Sequence, residues 1–382
     1  MHPGDVADYR HLARKSLPRF VFDYLDGGAD REDCVARNTS DFQHVHLLPK
    51  RLRDTRTVDT SIEVFGSRWS APIGIAPTGF NGLIRPNGDV LVAKAAARAA
   101  IPFVLSTASN ARLETVRAAT PSGINWLQLY VMNDRQIAEQ LVRRARRESY
   151  GALVLTVDVP TNGNRRRDIR NGFGMPFRPG LRTMLNISRH PGWLLKIARS
   201  GMPSFVNLTA SEDGKAAAAL GAALLSRELD RGLVWKSLEW LRKLWDGPLL
   251  LKGVLHPEDA IRATRYGIDG VIVSNHGGRQ LDAAPSAFAA LGPVVDAVAG
   301  RIPVFVDSGF RTGDDIVKAL AVGARAVFIG RPAIYGLACG AEQGVHSVVS
   351  LLIAEILRTM ILIGAPSVQH INREFLMKAH ST

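Results

Sequence analysis

The sequence predicts an α/β chain closed into a TIM (β/α)8 barrel, with an N-terminal helical region and a long insertion after strand 4. Three observations predict it. Eight short apolar runs recur over about 260 residues, most of them separated by helical patterns. Each run ends in a polar or charged group at its carboxyl side, the side on which barrels of this kind carry their sites. One interval alone, 158–247, is about 90 residues long where a single crossover helix would suffice.

Residues 5–30 read as amphipathic helix, with Leu12, Leu17, Phe20, Val21 and Leu25 on the apolar face. Gly27 and Gly28 end it, and a glycine C-cap is expected there. Residues 45–70 read as short strands and turns covering one end of the barrel. The eight runs then follow as 71–76, 102–105, 124–127, 152–155, 248–251, 270–273, 303–306 and 326–329. Their β-branched and leucine-rich character suits parallel strands covered on both faces. Helical patterns lie near 88–100, 134–147 and 312–323. The expected layout is one domain: a cap over 1–70, the barrel over 71–345, an insertion over 165–210 within it, and a helical region over 346–382.

Composition bounds the function. The chain has 382 residues, 46% of them hydrophobic, which is enough for a large core. Its two cysteines, Cys34 and Cys339, are far apart and in no ligand spacing. Neither a disulfide framework nor a metal site is indicated, and a reducing compartment fits. No uninterrupted apolar run reaches 18 residues, and the N-terminus lacks a signal core. A net charge of +13 favours anionic partners. Residues 165–202 hold nine Lys or Arg against one acid, Asp168. The same segment carries Phe173, Phe177, Trp193, Leu194, Leu195 and Ile197. Cations mixed with Trp and Leu point to a membrane-interface segment, and a solvated lid is the alternative. No nucleic-acid motif accompanies the charge, so nucleic acid is not an expected partner.

The strand ends suggest chemistry. Thr78, Ser106, Gln128, Tyr130, Thr156, Asp158, Lys252, His276, Arg279, Asp307, Arg311 and Arg331 all fall there. Asp307-Ser-Gly-Phe-Arg-Thr-Gly313 precedes a helix, so free backbone N–H groups and Arg311 could face a phosphate. Gly330-Arg331 adds a second cation, and Asp307 could hold a ligand hydroxyl. No GxGxxG fingerprint stands in a strand–turn–helix context, so a Rossmann-bound nicotinamide cofactor is not indicated. His276 is the natural general base. Asp158 could orient it and favour its protonated form. Arg165 and Arg279 could clamp a carboxylate, and Tyr24 and Tyr130 could donate hydroxyl hydrogen bonds. Tyr24 could equally be plain core. Lys252 could place positive charge on an electron-accepting cofactor. Together these residues describe a carboxylate substrate above a phosphate-bearing redox cofactor.

At this point the motifs carry a resemblance. Asp23-Tyr24, Ala76-Pro-Thr-Gly79, Gln128-Leu-Tyr130, Leu155-Thr-Val-Asp158, Arg165, Lys252-Gly, Ser274-Asn-His-Gly-Gly-Arg-Gln-Leu-Asp282, Asp307-Ser-Gly-Phe-Arg311 and Gly330-Arg331 resemble the FMN-dependent L-2-hydroxy acid oxidases and dehydrogenases, over essentially the whole chain. Pro77-Thr-Gly-Phe-Asn-Gly82, Leu105-Ser-Thr-Ala-Ser-Asn110 and the basic insertion look most like the membrane-associated mandelate dehydrogenase branch. The resemblance implies that His276 is the base, Asp158 its partner, and Lys252 the stabiliser of reduced FMN. It implies that Tyr24, Arg165 and Arg279 bind the substrate carboxylate and that Tyr130 meets the hydroxyl. Pro77, Thr78, Gly79, Ser106, Gln128, Thr156, Lys252, Ser274, Asp307, Gly309, Arg311, Gly330 and Arg331 are implied to line FMN.

Gly79 stands where many oxidases of the family carry Ala, and Ala108 where glycolate oxidases carry Trp. Gly79 changes access to the reactive edge of the flavin and looks like the dehydrogenase type, while the small Ala108 leaves room for a phenyl-sized substrate. The reading is therefore oxidation of an S-2-hydroxy acid, foremost (S)-mandelate. Electrons would pass to a quinone or respiratory acceptor at the cytoplasmic face of the cell membrane. L-lactate dehydrogenase and a soluble oxidase using oxygen are the alternatives. A homo-oligomer, a tetramer by resemblance, is expected.

Overall fold

The computed structural model describes residues 3–174, 179–208 and 229–378. Two helices open the chain, Val6–Ser16 and Arg19–Asp26, rather than one continuous helical region. Leu17-Pro18 separates them, because proline supplies no N–H to continue the ladder but suits a helix start. Gly27 does end the second helix, but in an extended conformation and not as a left-handed cap. Close approach explains its glycine: a Cβ would meet the Asp23 carbonyl oxygen at 2.6 Å.

Three short strands precede the barrel: β1 (Val45–Leu47), β2 (Ile62–Val64) and β3 (Ser67–Trp69). The β2–β3 hairpin is antiparallel. It covers the amino end of the barrel and inserts Ile62, Val64 and Trp69 among Val104, Trp126, Val154, Leu250, Ile272, Phe305 and Phe328. Trp69 is fully buried, with its ring edge-on to Trp126 at 5.5 Å and to Phe328 at 6.1 Å.

The barrel strands are β4 (Ile73–Ile75), β5 (Phe103–Leu105), β6 (Asn125–Leu129), β7 (Ala152–Thr156), β8 (Leu249–Val254), β9 (Gly270–Val273), β10 (Val304–Val306) and β11 (Ala326–Ile329). All neighbours are parallel, and β11 pairs with β4 to close the ring. The period-2 alternation of a strand sorts their side chains. Val104, Trp126, Val154 and Phe328 fill the barrel interior, while Phe103, Leu105, Leu127, Leu153 and Val271 join the outer core under the helices. This explains why the runs read as uniformly apolar.

The helix after β11 spans Arg331–Ile363 and breaks at Gly340–Ala341. It is apolar and long enough to cross a membrane by composition alone, but it packs against helices Val6–Ser16 and Gly88–Arg98 as a core element. Strand β12 (Leu376–Lys378) then returns to pair with β1.

The interval after β7 contains helices Arg166–Arg170, Leu181–Ser188 and Pro191–Ser200. The structure divides the apolar residues expected to meet a membrane. Trp193 and Ile197 are buried, and the Trp193 indole N–H donates to the Leu83 carbonyl at 2.9 Å. Phe173 also turns inward, its ring 5.3 Å from that of Tyr24. An amphipathic helix needs one face for its own protein, and Trp193 and Ile197 form that face of helix Pro191–Ser200. Leu194 and Leu195 are exposed as expected, joined by Leu181, Met184, Leu185 and Met202. Phe177 and residues 209–210 lie outside the described residues.

Candidate active site

The carboxyl ends of the strands surround one cavity of about 830 Å³. Tyr24, Pro77, Thr78, Gly79, Ser106, Tyr130, Arg165, Lys252, His276, Arg279, Asp307, Gly309, Arg311, Gly330 and Arg331 line it. Gln128, Asp158 and Ser274 contact the lining residues Ser106, His276 and Lys252, and Thr156 pairs with Lys252 on the neighbouring strand.

His276 follows β9 on a short turn and has a positive φ of 59°. Its Nδ1 is 3.0 Å from Asp158 Oδ1, and its Nε2 is 3.5 Å from the Tyr130 hydroxyl. Asp158 comes close because Gly253 bulges out of β8 with φ +103°; a Cβ there would lie 2.7 Å from the Asp158 carboxyl carbon. Burial pushes the imidazole below its usual pKa, and Asp158 works against that shift. Asp158 therefore favours the protonated form, while burial outweighs it in the net direction. Burial also opposes charge on Asp158, yet His276 and Lys252 hold its carboxyl below the ordinary range. With Nδ1–H directed at Asp158, the neutral tautomer leaves Nε2 as the free base facing the cavity.

Lys252 sits at the end of β8. Its Nζ lies 3.1 Å from Asp307 Oδ2 and donates to Ser274 Oγ at 2.9 Å. Burial opposes its charge, but Asp307 and Asp158 raise its pKa and keep it cationic. The other Asp307 oxygen accepts from Ser308 Oγ at 2.7 Å, so both oxygens of the expected hydroxyl-holding carboxylate have protein partners.

Two guanidiniums face the same space. Arg279 Nη1 donates to the carbonyls of Tyr24 at 2.6 Å and Gly27 at 3.0 Å, and its Cζ lies 5.0 Å from the Tyr24 ring centroid. Burial, then the neighbouring Arg165, push its pKa down to about 9. Arg165 Nε is buried without a hydrogen-bond partner among the described residues. Two neighbouring guanidiniums could hold a carboxylate in this space.

The expected phosphate cradle needs one correction. Most amides at the start of the helix Gly313–Val322 are already engaged. Asp315 Oδ2 accepts from the amides of Arg311 and Thr312, both at 3.0 Å, and Glu355 accepts from Gly313 at 2.7 Å. The cradle consists instead of the turn through Gly309, the cation Arg311 and the helix start at Gly330-Arg331. Arg331 donates to the carbonyls of Gly277 at 2.9 Å and Gly27 at 2.8 Å, which orients it across the cavity floor.

The cradle and its surroundings fit a flavin nucleotide. Gln128 Nε2 and Thr156 Oγ1 are buried without partners among the described residues, as expected for groups that hydrogen-bond a polar ring. Gln128 Oε1 is already fixed by Ser106 Oγ and the Thr107 amide, both at 3.1 Å. A cation at Lys252 and a phosphate-sized cradle complete the match.

A family profile described as FMN-dependent dehydrogenase matches residues 13–378. The chain belongs to that family. FMN is therefore its cofactor. It is 47% identical over 372 residues to (S)-mandelate dehydrogenase of Pseudomonas putida, covering 97% of this chain and 93% of that protein. It is 41% identical to an L-lactate dehydrogenase of Ectopseudomonas mendocina (strain ymp), covering 97% and 98%. The crystal structure of a monotopic membrane protein, (S)-mandelate dehydrogenase, superposes with a TM-score of 0.95 at 45% identity, covering 99% of this chain and all of that one.

Several cavity residues were not singled out from sequence as site residues. Phe80, Phe173 and Phe205 form an aromatic wall; Phe80 lies 4.9 Å from Phe205 and 6.3 Å from Phe173. Their apolar type signals core equally well, so nothing in the sequence separates them from packing residues. Asp168 also lines the cavity, where burial raises its pKa. Its position three residues after Arg165 was the available signal.

Proposed function

We propose that this chain oxidises an S-2-hydroxy acid to the 2-oxo acid, foremost (S)-mandelate to benzoylformate. The observation that carries the proposal is the His276–Asp158 pair opening onto the same cavity as the paired guanidiniums of Arg165 and Arg279. Arg165 and Arg279 hold the carboxylate, with Tyr24 at its edge. Tyr130 meets the hydroxyl. His276 Nε2 takes the proton that the substrate surrenders, and Asp158 stabilises the imidazolium so formed. Lys252 would place positive charge beside the bound flavin and favour its accepting electrons. Pro77, Thr78, Gly79, Ser106, Gln128, Thr156, Ser274, Asp307, Gly309, Arg311, Gly330 and Arg331 surround the cofactor. Bound FMN supplies the two-electron acceptor.

Room for an aryl group supports mandelate over lactate. A Cβ on Gly79 would lie 3.0 Å from Ala108 Cβ, so both positions depend on small side chains. The aromatic wall faces that space. The identity to an L-lactate dehydrogenase keeps lactate as the second reading. Steady-state turnover of both acids with an artificial acceptor separates the two: mandelate has the higher kcat/KM under this proposal.

Peripheral membrane attachment is part of the same reading. Leu181, Met184, Leu185, Leu194, Leu195 and Met202 are exposed on a segment that also carries Arg182, Arg189, Lys196 and Arg199. The mandelate dehydrogenase of similar structure is a monotopic membrane protein. A quinone acceptor, the cytoplasmic face and a homotetramer complete the proposal. The domain layout remains one FMN dehydrogenase domain with cap 1–70, barrel 71–345, insertion 165–210 and tail 346–382.

A further inference from the structure

Arg165 faces the cavity and makes no salt bridge within 4 Å among the described residues, so its backbone must place it. That backbone is the short helix Arg166–Arg170, with Arg165 immediately before it. The segment is tied down at both ends. Asn164 Nδ2 donates to Asp30 at 2.7 Å, and Asn171 Nδ2 donates to Asp23 at 2.8 Å. Arg167 lies between these ties. Its guanidinium donates to Asp26 Oδ2 at 3.2 Å and to Glu32, and lies 3.7 Å from Asp23. Asp26 is 5% exposed and is itself held by Arg10 at 2.6 and 2.7 Å and by the Tyr335 hydroxyl at 2.7 Å. The acid that receives Arg167 is therefore rigid. The turn that carries Asp23 and Asp26 also supplies the Tyr24 and Gly27 carbonyls that hold Arg279. One turn thus fixes Arg279 directly and reaches Arg165 through Arg167.

We infer that Arg167 is a positioning residue for the substrate clamp: its bridge to Asp26 and Glu32 fixes the segment that presents Arg165, and so sets substrate affinity without touching the substrate. Arg166 is the natural comparison. It is one residue away and carries the same charge, but its pair with Asp30, at 3.3 Å, is more open to solvent, with side chains 48% and 37% exposed. An exposed pair of this kind contributes little.

The inference rests on the 2-hydroxy acid reading, and its test separates the two. Arg167→Met, Arg167→Lys and Arg166→Met are compared with wild type as FMN-loaded enzymes. KM and kcat are measured with (S)-mandelate. The dissociation constant of phenylacetate, a monocarboxylate without the 2-hydroxyl, is read from the flavin absorbance change. Arg167→Met is expected to raise both KM and the phenylacetate constant by about tenfold or more, with kcat within about threefold. Arg167→Lys restores part of the loss, since an ammonium replaces the charge but not the fork. Arg166→Met stays at wild-type values. If Arg167→Met does not fold, Glu32→Gln removes one arm of the bridge and is expected to weaken phenylacetate binding in the same direction. Unchanged phenylacetate binding in the folded variant overturns the inference, as does an equal effect from Arg166→Met. Wild-type flavin that no 2-hydroxy acid bleaches overturns the underlying reading instead.

Discussion

Asp158→Asn isolates the electrostatic part of the proposed base. The amide keeps the shape but removes the charge 3.0 Å from His276 Nδ1. A Coulomb attraction at about 4 Å between charge centres, with an effective dielectric near 20, is worth about 4 kcal/mol. A charge-assisted hydrogen bond measured by substitution is worth roughly 1.5–3 kcal/mol. Imidazolium forms only as the proton arrives, so most of this loss falls on the transition state. Flavin reduction should slow by about 10- to 1000-fold. The pH profile adds a second signature. Burial lowers the His276 pKa and Asp158 opposes that shift, so removing the carboxylate lowers it further. In wild type kcat/KM rises with pH as His276 loses its proton and then levels off. In the variant that acid limb moves to lower pH while the plateau falls. Anaerobic stopped-flow bleaching of FMN over a pH series reads both effects. A reduction rate within threefold of wild type, or an acid limb moved to higher pH, refutes the reasoning.

Three further outcomes follow from the geometry. Arg279 faces the cavity and is held by the Tyr24 and Gly27 carbonyls. Arg279→Lys keeps the charge but loses the planar fork, and should raise KM for (S)-mandelate with kcat less affected, measured in steady-state assays. Ala108→Trp overfills the space beside Gly79, at a cost of about 1–3 kcal/mol for a phenyl substrate. Its kcat/KM for (S)-mandelate should fall about 5- to 150-fold, while L-lactate changes only a few-fold, measured in steady-state assays with an artificial acceptor. Replacing Leu185, Leu194 and Leu195 together by Ser removes exposed apolar surface and should release the protein from anionic vesicles in a flotation assay, with turnover of soluble substrate retained.

The barrel was legible because its strands are short, β-branched and bounded by polar ends. Two covered faces demand such runs, whatever the loops contain. The candidate site residues were legible from their place at strand ends: Asp307 follows β10 directly, Lys252 lies near the end of β8 and His276 comes three residues after β9. What the sequence left open depends on contacts between distant segments. Glu355 meets Gly313 across 42 positions, so nothing local reveals that this helix start is already satisfied. Trp193 and Phe173 share a segment with Leu194 and Leu195, and composition alone does not say which face a neighbouring element covers. The lowered pKa of His276 is likewise a balance in which burial outweighs the Asp158 carboxylate. A sequence shows the carboxylate but not the desolvation that outweighs it. Arg167 was one cation in a basic run until its buried partner Asp26 set it apart from Arg166.

The most direct test of the account is an anaerobic flavin spectrum titrated separately with (S)-mandelate and L-lactate. The account predicts an FMN absorption band that mandelate bleaches rapidly at low concentration, with lactate slow. Preferential bleaching by lactate would contradict the substrate assignment while leaving the base and clamp in place. A flavin band that neither acid bleaches would contradict the central claim.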